Sequence, residues 1–161
     1  MVAPFYNCRL IHLKEVTMKK LWISVVLLLF FGFSAFGQSK YEITLSGLEK
    51  TPQVRTPATG TVEVWIDSDT LYVSGKFSDL RDYYWAGHIQ YGRRGEEGNR
   101  LFRLKATEFS EDKRSGSFDP EENKFHLRQA QLEALRNGNL YINIASYRNQ
   151  QGEIRGQIPP M

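Results

Sequence analysis

Asn139-Leu-Tyr-Ile-Asn-Ile-Ala-Ser-Tyr147 and Gly152-Glu-Ile-Arg-Gly-Gln-Ile158 decide the fold. Both segments alternate apolar with polar, the period-two mark of a strand with one buried face. Leu140, Ile142 and Ile144 share one face of the first, and Ile154 and Ile158 share one face of the second. The opposite face carries Asn143, Tyr147, Glu153, Arg155 and Gln157. Gly152 suits the left-handed position of a three-residue loop, Gln150-Gln151-Gly152. That loop sets Asn149 opposite Glu153, Tyr147 opposite Arg155, Ala145 opposite Gln157 and Ile144 opposite Ile158, and the parity agrees on both strands. Arg155 is then expected to lie over Tyr147 as a cation–π pair, with Glu153 two residues away. The five polar residues read as a structural network, the alternative being a ligand site.

Working outward, the same alternation recurs. Tyr41, Ile43 and Leu45 alternate with Glu42, Thr44 and Ser46; Val62, Val64 and Ile66 with Thr61, Glu63 and Trp65. Asp67-Ser-Asp69 reads as a turn, and Leu71, Val73 and Phe77 resume the inward face against Tyr72, Ser74 and Lys76. Gly87–Tyr91, Leu101–Phe109 and Lys124–Leu127 read as further strands, the second with Phe102, Leu104 and Ala106 facing in. Residues 129–136 read as one short helix that Asn137-Gly138 ends, with Leu132 and Leu135 toward the core. The sum is an all-β chain of about seven or eight strands with one helix, an immunoglobulin-like or superoxide-dismutase-like Greek-key β-sandwich.

The N-terminal part reads differently. Met18-Lys-Lys20 opens a basic segment, Leu21–Phe33 is apolar apart from Ser24 and Gly32, and Ala35-Phe36-Gly37 provides small residues before Gln38. This is the layout of a secretory signal peptide at 18–37. A membrane anchor is the alternative, but the run is shorter than the roughly 18 residues a span needs. Residues 1–17 then read as an extension ahead of the true start at Met18, or as a long n-region. Residues 38–161 would form one domain.

The chain has a formal charge of +3, but Arg9, Lys14, Lys19 and Lys20 precede Gln38, as does Glu15. Residues 38–161 hold 17 basic and 17 acidic residues, so nothing supports a nucleic-acid partner. The only cysteine, Cys8, also lies ahead of Gln38. The domain therefore has no disulfide, no thiolate ligand and no cysteine nucleophile.

Four segments together resemble the CHRD domain, the module named from chordin: Leu45-Ser-Gly-Leu-Glu-Lys-Thr-Pro-Gln-Val-Arg-Thr-Pro-Ala-Thr-Gly60, Ala86-Gly-His-Ile-Gln-Tyr-Gly92, Leu132-Glu-Ala-Leu-Arg-Asn-Gly-Asn-Leu-Tyr-Ile-Asn143 and Gly152-Glu-Ile-Arg-Gly-Gln-Ile158. The resemblance covers about Tyr41 to Ile158 and implies an extracytoplasmic β-sandwich-like module without an agreed enzymatic activity. The chain departs from the family pattern at two places. The family commonly reads His-Ile-His where this chain has His88-Ile89-Gln90, and Asn-Val-His-Thr where it has Asn143-Ile144-Ala145-Ser146.

That departure bears on metal binding. Two histidines at i and i+2 on a strand project from one face, and a third nearby would complete a zinc or copper site. Here glutamine and alanine stand in those places, which leaves His88 as a weak metal candidate. A metal-dependent, superoxide-dismutase-like oxidoreductase is the runner-up reading of function. No nucleophile elbow or catalytic-triad spacing is present, so no catalytic residue and no cofactor is expected. The favoured reading is a periplasmic or secreted, non-enzymatic module that contacts a protein or glycan. Its candidate contact residues are Tyr83, Tyr84, Trp85, His88, Gln90 and Tyr91, with outward Trp65 and Tyr72 as an extension. The competing reading of Tyr83-Tyr84-Trp85 is a loop folded over one end of the core.

Overall fold

The computed structural model describes residues 39–161; the expected extension and signal segment, 1–37, lie outside the described residues. The period-two segments form ten strands: β1 (Tyr41–Ser46), β2 (Thr59–Asp67), β3 (Thr70–Ser78), β4 (Tyr84–Tyr91), β5 (Arg100–Leu104), β6 (Ala106–Thr107), β7 (Gly116–Phe118), β8 (Lys124–His126), β9 (Leu140–Ser146) and β10 (Ile154–Gln157). One helix, α1 (Gln129–Arg136), stands between β8 and β9. The domain is therefore all-β with one short helix. The strands exceed the expected number because the segment expected as one strand over Leu101–Phe109 is divided into β5 and β6, and because the three-residue β7 is additional. β8 matches the strand expected at Lys124–Leu127.

All pairings are antiparallel, and the hydrogen-bonded order is β5-β4-β9-β10-β1-β2-β3-β7-β6, with β8 also on β3. The two ends of that path, β5 and β6, are separated in the chain by Lys105 alone. The continuous sheet must therefore curl back on itself, giving a nearly closed, barrel-like body. Asn123, fully buried, holds the seam. Its Oδ1 accepts from the Lys105 amide at 2.7 Å, and its Nδ2 donates to the Lys105 carbonyl at 3.0 Å and the Asp119 carbonyl at 2.8 Å. Its own carbonyl accepts from the Val73 amide at 3.0 Å, tying the seam to β3. The single strand expected over Leu101–Phe109 is thus two strands on opposite ends of the sheet, because its backbone turns at Lys105 to close the body.

The inward set follows the alternation: Ile43, Leu45, Val62, Val64, Leu71 and Val73 are buried together with Ile142, Ile144 and Ile154. α1 presses Leu135 and Ala134 onto this core, with Leu132 packed at its margin. Gly138 ends the helix at φ 65°, with the Asn139 amide donating to Ala134 and the Gly138 amide to Leu135.

Gly156 in β10 marks a close approach of backbone to core side chains. A Cβ there would stand 2.5 Å from a Leu45 methyl and 2.6 Å from an Ile43 methyl. Gly156→Ala is expected to overpack the core and lower stability by about 1–3 kcal/mol. A denaturant melt measures it, and an unchanged midpoint would contradict the packing.

Candidate functional site

β9 and β10 pair as a hairpin, but in a different register from the one the turn chemistry predicted. Ile154 stands opposite Ile144, Arg155 opposite Asn143, Gly156 opposite Ile142 and Gln157 opposite Tyr141. The connection is not the three-residue loop expected. It runs from Tyr147 to Glu153 and is closed by the Asn149 and Gly152 amides donating to the Ser146 and Asn149 carbonyls. The displacement is even, so every residue keeps its face while its partner changes. Arg155 lies not over Tyr147 but over Tyr141, its guanidinium carbon 3.6 Å from the ring centroid.

The outer face of β9–β10 is sealed. The loop after β4 folds across it, and Arg155, 1% exposed, holds the loop down. Its guanidinium donates to the carbonyls of Glu96 and Arg93, both at 2.7 Å, and to Gln157 Oε1 at 3.0 Å. Gln157 Nε2 reaches the carbonyls of Gly92, Gly138 and Leu140. The Gly98 amide donates to the Tyr141 hydroxyl at 3.2 Å. Lys50, also buried, bridges Glu97 and the Gln151 carbonyl at 3.1 Å each. These groups are engaged within the domain, mostly by backbone carbonyls.

Glu153 belongs to a separate cluster. It is fully buried and accepts from the hydroxyls of Thr56 and Ser146, the Arg81 amide at 2.9 Å and Asn149 Nδ2 at 3.2 Å. Burial alone would raise its pKa; the hydrogen bonds outweigh that and hold the carboxyl below its usual value. Asn143 donates to the Gln151 carbonyl at 3.1 Å, and its Oδ1 is buried without a polar partner. That oxygen faces Gly152, where a Cβ would come within 2.0 Å of it. The polar residues grouped by sequence are thus two clusters, and Tyr147 is in neither.

Tyr147 is 57% exposed and meets Trp85, 45% exposed, edge to face at 5.3 Å. A register shift between Tyr84 and Ala86 leaves Trp85 as the unpaired residue of a bulge, which turns it outward. The Tyr147 amide donates to the Tyr83 carbonyl at 2.8 Å, so exposed Tyr83 joins the same end of the body. Tyr84 turns in instead. Its ring stacks on Phe77 at 5.1 Å and meets Phe109 at 5.4 Å, and burial pushes its pKa up to about 12. Gln90 is buried as well, while Tyr91 is exposed at the other end of β4. Trp65 and Tyr72 stack on each other at 5.3 Å on β2 and β3, several strands from β4, with Lys40 over Trp65. They form a separate patch and do not extend the Trp85 surface.

His88 pairs with Asn143 on one side and Arg103 on the other. Burial, then the charges of Arg100 and Arg103, lower its pKa. Cationic neighbours oppose a metal ion there, and among the described residues no three His, Cys, Asp or Glu side chains are grouped for one.

The family model for the CHRD domain matches residues 41–158. The chain belongs to the CHRD domain family. No curated protein and no solved structure matches it. CHRD domains are in general non-enzymatic, and they are typically found in extracellular proteins. In this CHRD domain positions 88, 90 and 145, where the resemblance implies histidines, all lie on the outer face of β4 and β9.

Both clusters can be tested by substitution. Arg155→Met keeps the stem over Tyr141 but strands the loop carbonyls. It is expected to cost about 1–3 kcal/mol for each carbonyl that water does not reach, and to speed tryptic cleavage at Arg93 and Arg94; equal cleavage of both proteins would contradict the latch. Glu153, with its lowered pKa, contributes stability above the unfolded carboxylate value of about 4.3, and that contribution is lost as pH falls through the native value. Glu153→Gln is expected to be less stable at pH 7 and to lose less stability on acidification, read from melts between about pH 7 and pH 3.

Proposed function

We propose that this CHRD domain is an extracytoplasmic, non-enzymatic binding module whose contact surface is formed by Tyr83, Trp85 and Tyr147. The observation that carries the proposal is the exposed edge-to-face pair of Trp85 and Tyr147. A bulge of β4 and the loop after β9 converge to display it, and the neighbouring Tyr84 is spent on the core. Large rigid aromatics left in water supply contact area at low entropy cost, which suits a protein or glycan partner. The family assignment and the signal-peptide pattern at 18–37 support a periplasmic or secreted location. Among the described residues no helix is long and apolar enough to cross a membrane.

The buried charged residues of the closing hairpin support binding over catalysis. Glu153 is engaged by four donors, and the Arg155 guanidinium is engaged by carbonyls. Neither is free to exchange a proton with a substrate.

The test is a comparison of two variants. Trp85→Ala/Tyr147→Ala removes the surface and is expected to lower stability by no more than the roughly 0.5–1.5 kcal/mol of an aromatic pair. It is expected to abolish capture of partners from an envelope fraction and binding to a glycan array. Tyr84→Ala, which opens a cavity between Phe77 and Phe109, is expected to cost about 3–5 kcal/mol. Retained binding in the double variant, or its unfolding, would overturn the proposal.

A further inference from the structure

The outer face that is sealed over β9–β10 is open over β4–β5. Two cross-strand rows run along it. One is Arg103, His88, Asn143 and Arg155; the other is Arg100, Gln90, Tyr141 and Gln157. The loop 92–98 covers the Arg155 and Tyr141 ends of both rows. At the other ends Arg100 and Arg103 are exposed.

The two arginines reach the same face only through a backbone irregularity. Three residues apart, they would point to opposite sides of a regular strand. The register shifts between Ile89 and Gln90, so that Phe102 pairs with Ile89 but Arg100, not Leu101, pairs with Gln90. Leu101 is the extra residue of a bulge, and the bulge re-aims Arg100 to the side of Arg103. Opposite partners two residues apart on β4 place the two guanidinium groups' origins about 7 Å apart along the sheet. His88 stands directly opposite Arg103 on the neighbouring strand, and burial first, then the charges of Arg100 and Arg103, lower its pKa.

Bringing two arginines and a histidine together on one face is electrostatically unfavourable in the free protein. Among the described residues neither arginine side chain has a carboxylate partner or an intramolecular hydrogen bond, although Lys40, Lys50, Arg94, Lys105 and Lys124 each have a carboxylate. The domain as a whole is balanced, with 17 basic and 17 acidic residues after Gly37, so the patch is a local feature and not part of a general positive field. Guanidinium forks match the paired oxygens of sulfate, phosphate and carboxylate.

We propose that the bulged β4–β5 face is an oxyanion site, in which Arg100 and Arg103 bind successive acidic groups of an anionic saccharide, with His88 beside Arg103. The spacing of the two forks favours repeated acidic groups over a single small ion. The face is an open strand surface, and exposed Trp85 stands at one end of the same strand, where a flat sugar ring can pack. The two arginines lie outside the aromatic contact surface, with which this site shares only Trp85, so the arginine variant tests it separately from that reading.

Heparin is the probe, with uncharged dextran, poly-glutamate and phosphatidylglycerol vesicles beside it. The wild-type domain is expected to bind heparin and not dextran. Arg100→Ala/Arg103→Ala is expected to weaken heparin binding by about tenfold or more, as the loss of two charge-assisted contacts requires, with an unchanged melting temperature. Lys76→Ala/Lys124→Ala, which removes the same formal charge from β3 and β8, is expected to bind as wild type. A heparin-dependent shift of the His88 imidazole resonances, absent in the arginine variant, locates the site. No heparin binding by the wild type, equal loss in both variants, or stronger binding to poly-glutamate or vesicles than to heparin would overturn the proposal.

Discussion

A guanidinium without a carboxylate holds the outer half of this domain together. Arg155 is buried against the Tyr141 ring and gives its hydrogens to the Arg93 and Glu96 carbonyls. A charge taken out of water needs every donor met, and a loop that offers carbonyls in the right place is thereby fixed to the sheet. Gln157 continues the same function with three more carbonyls. The result is a second, polar interior on the far side of β9 and β10, opposite the apolar core. Both faces of these strands are covered, which is why β9 is buried along its whole length.

Closure of the body sets a second constraint. The sheet begins at β5 and ends at β6, and the chain has one residue in which to pass between them. That residue exposes backbone groups that neither strand can satisfy, and Asn123 supplies an amide in place of a peptide. An asparagine in a loop between two charged segments carries no sign of this role in the sequence, because its partner is eighteen residues away and only meets it when the sheet curls.

The two surfaces proposed for binding share a cause. Each is exposed by an irregularity in β4 pairing: one bulge turns Trp85 outward against Tyr147, the other aligns Arg100 with Arg103. Bulges re-aim side chains without disturbing the buried face. The core on the other side of β4 continues through Ile89 unbroken. Surface chemistry and core packing are in this way adjusted separately on one strand.

Alternation in the sequence by itself determined the all-β class, the inward residues of β1, β2, β3, β9 and β10, the helix with its glycine stop, and, through four segments, the family. These are local properties, set by a two-residue period and by the φ angles that Gly138 tolerates. Only the tertiary structure decided partners. The hairpin of β9 and β10 was legible as a hairpin, yet Arg155 meets Asn143 and Tyr141 where turn chemistry placed Tyr147. An even slip of register preserves every face and is therefore invisible to alternation. The true register is the one that places Arg155 and Gln157 beneath the loop 92–98, whose carbonyls they meet. The same holds for the surfaces: Tyr83, Tyr84 and Trp85 are three similar aromatics in a row, and which of them faces water depends on a bulge, on Phe77 of β3 and on Phe109 beyond β6.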